Sequence, residues 1–138
     1  MAPIRILLVD DHEVARRGIR TVLKSYPSLE VVGEAADGEE AIKKAGELHP
    51  DIVLLDISLP GMSGIEAAPA IRAASPESRT IFVSQHTTIA LAKDALRRDG
   101  TYGYVVKSDA GLDLLTAIEA AREGRTFVSR TLQARGWT

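Results

Sequence analysis

Five polar residues of this chain share one context: each directly follows a short apolar run. Asp10 and Asp11 follow the run from Ile4 to Val9, and Asp56 follows Ile52 to Leu55. Ser84 follows Ile81 to Val83, and Lys107 follows Tyr104 to Val106. Taken singly, each has an ordinary role. An aspartate after a strand serves as a helix N-cap as readily as a ligand, Lys107 can be a solvated lysine, and Ser84 a turn residue. If the runs are parallel strands of one sheet, however, three carboxylates, a hydroxyl and an ammonium meet at a single edge. Two like charges ~5 Å apart repel by roughly 3 kcal/mol at an effective dielectric of ~20, so grouped carboxylates need a cation. Hard oxygen donors suit Mg²⁺. A carboxylate in such a set can act as nucleophile and form an acyl-phosphate. The metal, Lys107 and Ser84 would then share the three equatorial oxygens of the transferring group.

The elements that must position these residues are legible from the apolar pattern. Ile4 to Val9, Val31-Val32, Ile52 to Leu55, Ile81 to Val83 and Tyr104 to Val106 are apolar on both faces, as strands covered by helices on each side are. Helical spacing appears between and after them: Ala15, Gly18, Ile19, Val22 and Leu23; Ala41, Ile42, Ala45 and Leu48; Ile65, Ala68 and Ile71; Leu91, Ala92, Ala95 and Leu96; Leu114, Ala117, Ile118 and Ala121. The last helix should stop near Gly124. Five such βα units predict an α/β fold with a doubly wound, five-stranded parallel sheet and five helices. Ligands in these folds sit beyond the carboxyl ends of the strands, where the strand order reverses.

Four separate motifs, in order and spacing, resemble the receiver domain of two-component response regulators. They are Leu7-Leu8-Val9-Asp10-Asp11-His12, the stretch from Asp51 through Asp56 to Pro60-Gly61 and Gly64, Phe82-Val83-Ser84, and Gly103-Tyr104-Val105-Val106-Lys107. The resemblance spans residues 4–124 and implies a flavodoxin-like receiver fold. It implies that Asp56 is the phosphoacceptor, Asp11 a direct Mg²⁺ ligand, Asp10 a second acid reaching the metal through water, and Ser58 the position whose backbone carbonyl completes coordination. Ser84 and Lys107 match the switch hydroxyl and the phosphate-binding lysine, and Tyr104 the aromatic that swings inward when that hydroxyl moves. A sensor histidine kinase is the implied phosphoryl donor, and dimerisation on phosphorylation the implied response. The chain would be a phosphoacceptor rather than an enzyme. Val83-Ser84-Gln85-His86 and Gly124-Arg125-Thr126-Phe127-Val128-Ser129 are similar to the NarL/LuxR type, whose receivers usually precede a helix-turn-helix domain and control transcription. Pro69, inside the third helix, departs from the pattern; there it removes a backbone donor and can kink the helix.

The remaining features narrow the reading. The chain has 138 residues, room for one domain, and no cysteine, which excludes thiol redox and Cys-based zinc chemistry. A net charge of −2 without a basic block is not the footprint of a nucleic-acid binder. Residues 125–138 find no partner in the five-unit scheme and are expected to be a tail or the start of a linker. The chain alone is therefore expected to show no sequence-specific DNA binding. No segment approaches a membrane span, and a cytoplasmic protein is expected. His12 and His49 read as surface or capping residues. His86, two positions past Ser84, either modulates the water that hydrolyses a phosphoaspartate or is a plain loop residue. A flavodoxin-type electron carrier would need a Ser/Thr/Gly-rich phosphate loop after strand one, where this chain has Asp10-Asp11-His12-Glu13. A haloacid-dehalogenase-type phosphatase would need Asp-x-Asp there, whereas these aspartates are adjacent. The alternative that survives is a free-standing receiver acting as a protein-interaction module.

Overall fold

The computed structural model describes residues 2–138. The elements run β1 (Ile4–Val9), α1 (Glu13–Lys24), β2 (Leu29–Ala35), α2 (Gly38–Leu48), β3 (Ile52–Leu55), α3 (Gly64–Ala74), β4 (Arg79–Ser84), α4 (Ile89–Leu96) and β5 (Thr101–Val106). A 3₁₀ turn (Lys107–Asp109), α5 (Ala110–Arg122), β6 (Phe127–Val128) and α6 (Arg130–Ala134) complete the chain. All strand pairs are parallel, in the order β2-β1-β3-β4-β5-β6. The order reverses between β1 and β3, so the crevice at their carboxyl ends is where such a sheet accepts a ligand.

Alternation along the strands feeds two cores. Ile6 and Leu8 of β1 with Leu54 and Ile81 pack under α1 and α5, through Ile19, Leu23, Leu114 and Ile118. Leu7 and Val9 with Val53, Leu55 and Phe82 pack under α2, α3 and α4. The second face uses small contacts, Ala41 and Ala45 on α2, Ala67 and Ala68 on α3, and Ala92 and Ala95 on α4. Two helix starts are fixed by side chains: Asp37 accepts from the Glu40 N–H and Ser63 from the Glu66 N–H. No helix among the described residues is long and apolar enough to cross a membrane.

Two expectations are corrected. The sheet has a sixth strand: β6 pairs with β5 in the register Gly103 with Phe127 and Tyr104 with Val128. Consequently the stretch 125–138 is no loose tail. Val128, Ser129 and Leu132 are buried, and Leu132 joins the core cluster that holds Ala92, Ala95 and Tyr104. Two strand residues are too few to show a period of two, which is why the pattern missed them. Pro69 lies inside α3, as the sequence places it, and the helix continues past it. Pro69 is on an exposed face, where water can meet the carbonyl left without its N–H partner.

Gly64 opens α3 for a steric reason. A β-carbon there would lie 2.0 Å from the Asp56 carbonyl oxygen and 3.0 Å from Ile57 Cα, both backbone atoms. The start of α3 therefore presses directly on the residue that carries the candidate nucleophile. Gly64→Ala should destabilise the chain by about 3 kcal/mol, the upper range for overpacking against atoms that cannot move aside. Urea denaturation measures this, and a loss under about 0.5 kcal/mol, typical of a neutral surface change, would contradict it.

Candidate functional site

Strand ends place the site. The Asp10 N–H donates to Ala35 O and the Asp56 N–H to Val9 O, each at 3.0 Å, so the ladder continues into both aspartates. Both side chains turn into the crevice and are nearly sealed, with Asp10 at 1% and Asp56 at 2% exposure. Lys107, the first residue past β5, reaches over them. Its Nζ is 2.7 Å from Asp10 Oδ2 and 3.2 Å from Asp56 Oδ2. Asp11 points to the open side of the crevice. Ser84 is fully buried at the end of β4.

One ammonium thus faces two buried carboxylates, with Asp11 adding a third negative charge at the rim. Burial pushes the Asp56 carboxyl above the ordinary carboxylate range; Lys107 opposes this and the charge of Asp10 adds to it. Burial would lower the Lys107 ammonium, but the bond to Asp10 and the charges of Asp56 and Asp10 outweigh it and raise the group. Asp10 Oδ2 is sealed, and its partner among the described residues is the Lys107 ammonium at 2.7 Å, which Asp56 shares. Two sealed carboxylates sharing one ammonium keep a surplus of negative charge, which a coordinated cation satisfies. Ligand atoms of Asp10, Asp11, His12 and Asp56 lie within 4.8 Å of one another. The donor set therefore fits a metal ion.

His12 was expected at the surface, and its side chain is indeed 59% exposed, yet Nδ1 lies 3.0 Å from Asp11 Oδ1 and 3.3 Å from Asp10 Oδ1. Its own N–H also donates to Asp10 Oδ1 at 2.8 Å. Nothing in ligand spacing pointed to it, because a histidine adjacent to Asp11 reaches the acids through a backbone bend.

The remaining expected residues form a connected group above Asp56. The Ser58 N–H donates to Asp56 Oδ1 at 3.3 Å, and Ser58 Oγ is 2.8 Å from His86 Nε2. The His86 N–H donates to Ser84 Oγ at 3.1 Å, and the Tyr104 hydroxyl donates to His86 O at 3.0 Å. His86 ties the β3–α3 loop to Ser84 and Tyr104. Tyr104, the residue expected to swing inward, already lies inside with no exposed surface. It belongs to the same core cluster as Ala92 and Ala95 of α4. Burial raises its hydroxyl above the ordinary phenol range; the Ser84 hydroxyl opposes this and the Asp56 charge adds to it.

Comparison with known proteins agrees with this geometry. Residues 6–119 match the family model of the response regulator receiver domain. The chain is 38% identical over 130 residues to the nitrate/nitrite response regulator protein NarL of Escherichia coli, covering 94% of this chain and 60% of that protein. It is 35% identical over 131 residues to the DNA-binding transcriptional activator DevR/DosR of Mycobacterium tuberculosis, with 95% and 60% covered. It therefore spans about 60% of the length of these curated relatives. Among solved structures, a two-component response regulator of the LuxR family from Aurantimonas sp. superposes with a TM-score of 0.89 at 40% identity, covering 96% of this chain and 94% of that one. The isolated receiver domain of RcsB from Salmonella enterica, determined in the presence of phosphomimetic BeF₃⁻, gives 0.86 at 27% identity, with 96% and 97% covered. The buried acid pair at the switch point, the lysine across it and these relatives together make the chain a member of the response regulator receiver domain family, of the NarL/LuxR type.

Proposed function

We propose that Asp56 accepts a phosphoryl group from the phosphohistidine of a sensor histidine kinase, in a Mg²⁺-dependent reaction in the cytoplasm. One observation carries this reading: Asp56 is sealed in the switch-point crevice, with one lysine spanning it and Asp10. Asp10, Asp11, Asp56 and the Ser58 carbonyl would hold the ion, which when bound neutralises charge on the acids and on phosphate oxygens. A carboxylate oxygen of Asp56 attacks phosphorus as the P–N bond to the donor imidazole breaks. The imidazole leaves with that electron pair and takes up a proton. Lys107 shifts its ammonium from the carboxylates towards the incoming phosphoryl oxygens. Ser84 Oγ accepts the His86 N–H, which leaves its own proton free to donate to a phosphoryl oxygen. Burial limits the water that reaches the resulting acyl-phosphate.

A docking partner has a surface beside the site. Ala15, Gly18 and Gly111 leave an open groove between α1 and α5 that ends at Lys107. Val14 on α1 and Leu112 on α5 are 82% and 69% exposed, apolar surface suited to a helical donor. The output reading is a shift in an existing equilibrium around Ser84, His86 and Tyr104 that changes the α4–β5–α5 side and favours a homodimer. Relatives with names such as DNA-binding transcriptional activator support control of transcription, through a DNA-binding segment outside the residues described here. The receiver segment itself contributes gating and no base contacts.

Asp56→Asn should abolish Mg²⁺-dependent labelling by acetyl phosphate, read by intact-mass spectrometry. A full phosphoryl adduct on the variant would contradict the nucleophile. Lys107→Ala separates phosphate binding from metal binding. Labelling should fall by about tenfold or more, as when one preorganised cationic donor is lost. Mg²⁺ affinity, measured by calorimetry, should hold or rise because the competing ammonium is gone. Labelling at the parent's rate would remove Lys107 from the reaction.

A further inference from the structure

We propose that Ser129 is a positioning residue for Lys107, so that the segment 127–134 helps set where the phosphate-binding ammonium stands. The inference rests on the phosphoacceptor reading given above. Its starting point is the outer edge of β5. Pairing with β6 ends at Tyr104 and Val128, one residue before the chain turns into α6. At that point Ser129, fully buried, closes both polar groups the ladder leaves open. Its N–H donates to Tyr104 O at 2.9 Å, and its Oγ accepts the N–H of Val106 at 3.1 Å. Val106 is the residue immediately before Lys107.

The hydroxyl is diverted from the use its position favours. Ser129 is the N-cap of α6, with φ −67° and ψ 159°, yet it makes no side-chain cap bond there. The free N–H groups of α6 are met instead by carboxylates from the far side of Lys107. Asp109 Oδ2 accepts the Thr131 N–H at 3.0 Å and Oδ1 the Thr131 hydroxyl at 2.9 Å. Asp113 Oδ2 accepts the Arg130 N–H at 3.0 Å, and its Oδ1 accepts Arg130 Nη2 at 2.8 Å. Two segments thus exchange caps: the serine of α6 holds β5, and the aspartates of the turn and of α5 hold α6. Lys107 sits between the two tethers, with Val106 on one side and Asp109 on the other. Its stem must place one ammonium against both Asp10 and Asp56. A tilt at the end of β5 changes both distances at once, while leaving the acid cluster untouched. The same exchange links the polypeptide that passes through α6 to the phosphate lysine, by a path that avoids α4 and His86.

The test uses the full chain in parent, Ser129→Ala, Ser129→Thr and Thr131→Val forms, at a temperature where each is folded by circular dichroism. Acetyl phosphate labelling of Asp56 is timed by intact mass, and Mg²⁺ affinity is measured by calorimetry. Ser129→Ala should slow labelling by about fivefold or more, since small misplacements of a reacting group carry large rate losses. Its Mg²⁺ affinity should stay within about twofold, because no metal-side carboxylate is disturbed. Ser129→Thr, which keeps the hydroxyl, should recover most of the rate, whereas a general packing defect would not be rescued. Labelling of Ser129→Ala at the parent rate overturns the inference, as does a parallel loss of Mg²⁺ affinity that Thr does not repair. If Ser129→Ala does not fold, Thr131→Val decides: the half-buried site tolerates the change, and a labelling rate equal to the parent's overturns the proposal. A parent chain that takes no phosphoryl group at all overturns the phosphoacceptor reading and this inference with it, an outcome distinct from the others.

Discussion

Two carboxylates sealed side by side against one lysine are the constraint on which the rest of the structure depends. Asp10 and Asp56 are both almost without exposed surface, and Lys107 is the single cationic side chain within salt-bridge distance of either, His12 excepted, among the described residues. Removing one partner of such a group leaves a buried charge uncompensated, at a cost of several kcal/mol. Keeping all of them leaves net negative charge in a low-dielectric crevice, a surplus suited to a divalent cation and then to a phosphoryl group. The packing around the crevice serves to hold this arrangement. Gly64 lets α3 start against the Asp56 backbone, and the β1 and β3 ladders run straight into the two aspartates.

How the site is read out follows from the residues just above it. His86 contacts Ser58 through its ring, Ser84 through its N–H and Tyr104 through its carbonyl. A change at Asp56 therefore meets a connected hydrogen-bonded group rather than isolated side chains. Tyr104 packs near Phe82, ring centroids 6.4 Å apart, and shares its cluster with Ala92, Ala95, Val128 and Leu132. The interior next to the site is thus shared by α4 and the β6–α6 segment. Trp137, with Lys93 of α4 over its ring at 5.5 Å, extends that contact to the end of the chain.

Much of this was legible in the residues before any coordinates. Asp10, Asp11, Asp56, Ser84 and Lys107 each end an apolar run, and the rule that open α/β sheets work at their carboxyl edge brings them together. What escaped has a common physical cause, dependence on contacts distant in sequence. Ser129 lies in the stretch expected to be a tail or linker, and only the fold puts its hydroxyl on Val106. Gly64 enters the sequence reading only as part of a motif, and only the fold brings the Asp56 carbonyl to where a side chain would start. Phe127-Val128 is too short to carry a strand period, although the buried Leu132 in the helix that follows belongs to the same docking. The inward position of Tyr104 is set by the packing of its ring in a core shared with α4 and the β6–α6 segment, which periodicity alone does not give.

The central claim is that the acid pair leaves a charge surplus that a divalent cation relieves. Urea denaturation of the unmodified chain at neutral pH, with and without Mg²⁺ at matched ionic strength, tests it most directly. Since an ion bound only by the folded state adds RT ln(1 + [L]/Kd), stability should rise by about 2.7 kcal/mol at a hundredfold excess over Kd. The gain should be sharply reduced in Asp11→Ala, which keeps the buried pair but loses the rim ligand. An unchanged midpoint at every Mg²⁺ concentration, or an equal gain in Asp11→Ala, would contradict the account.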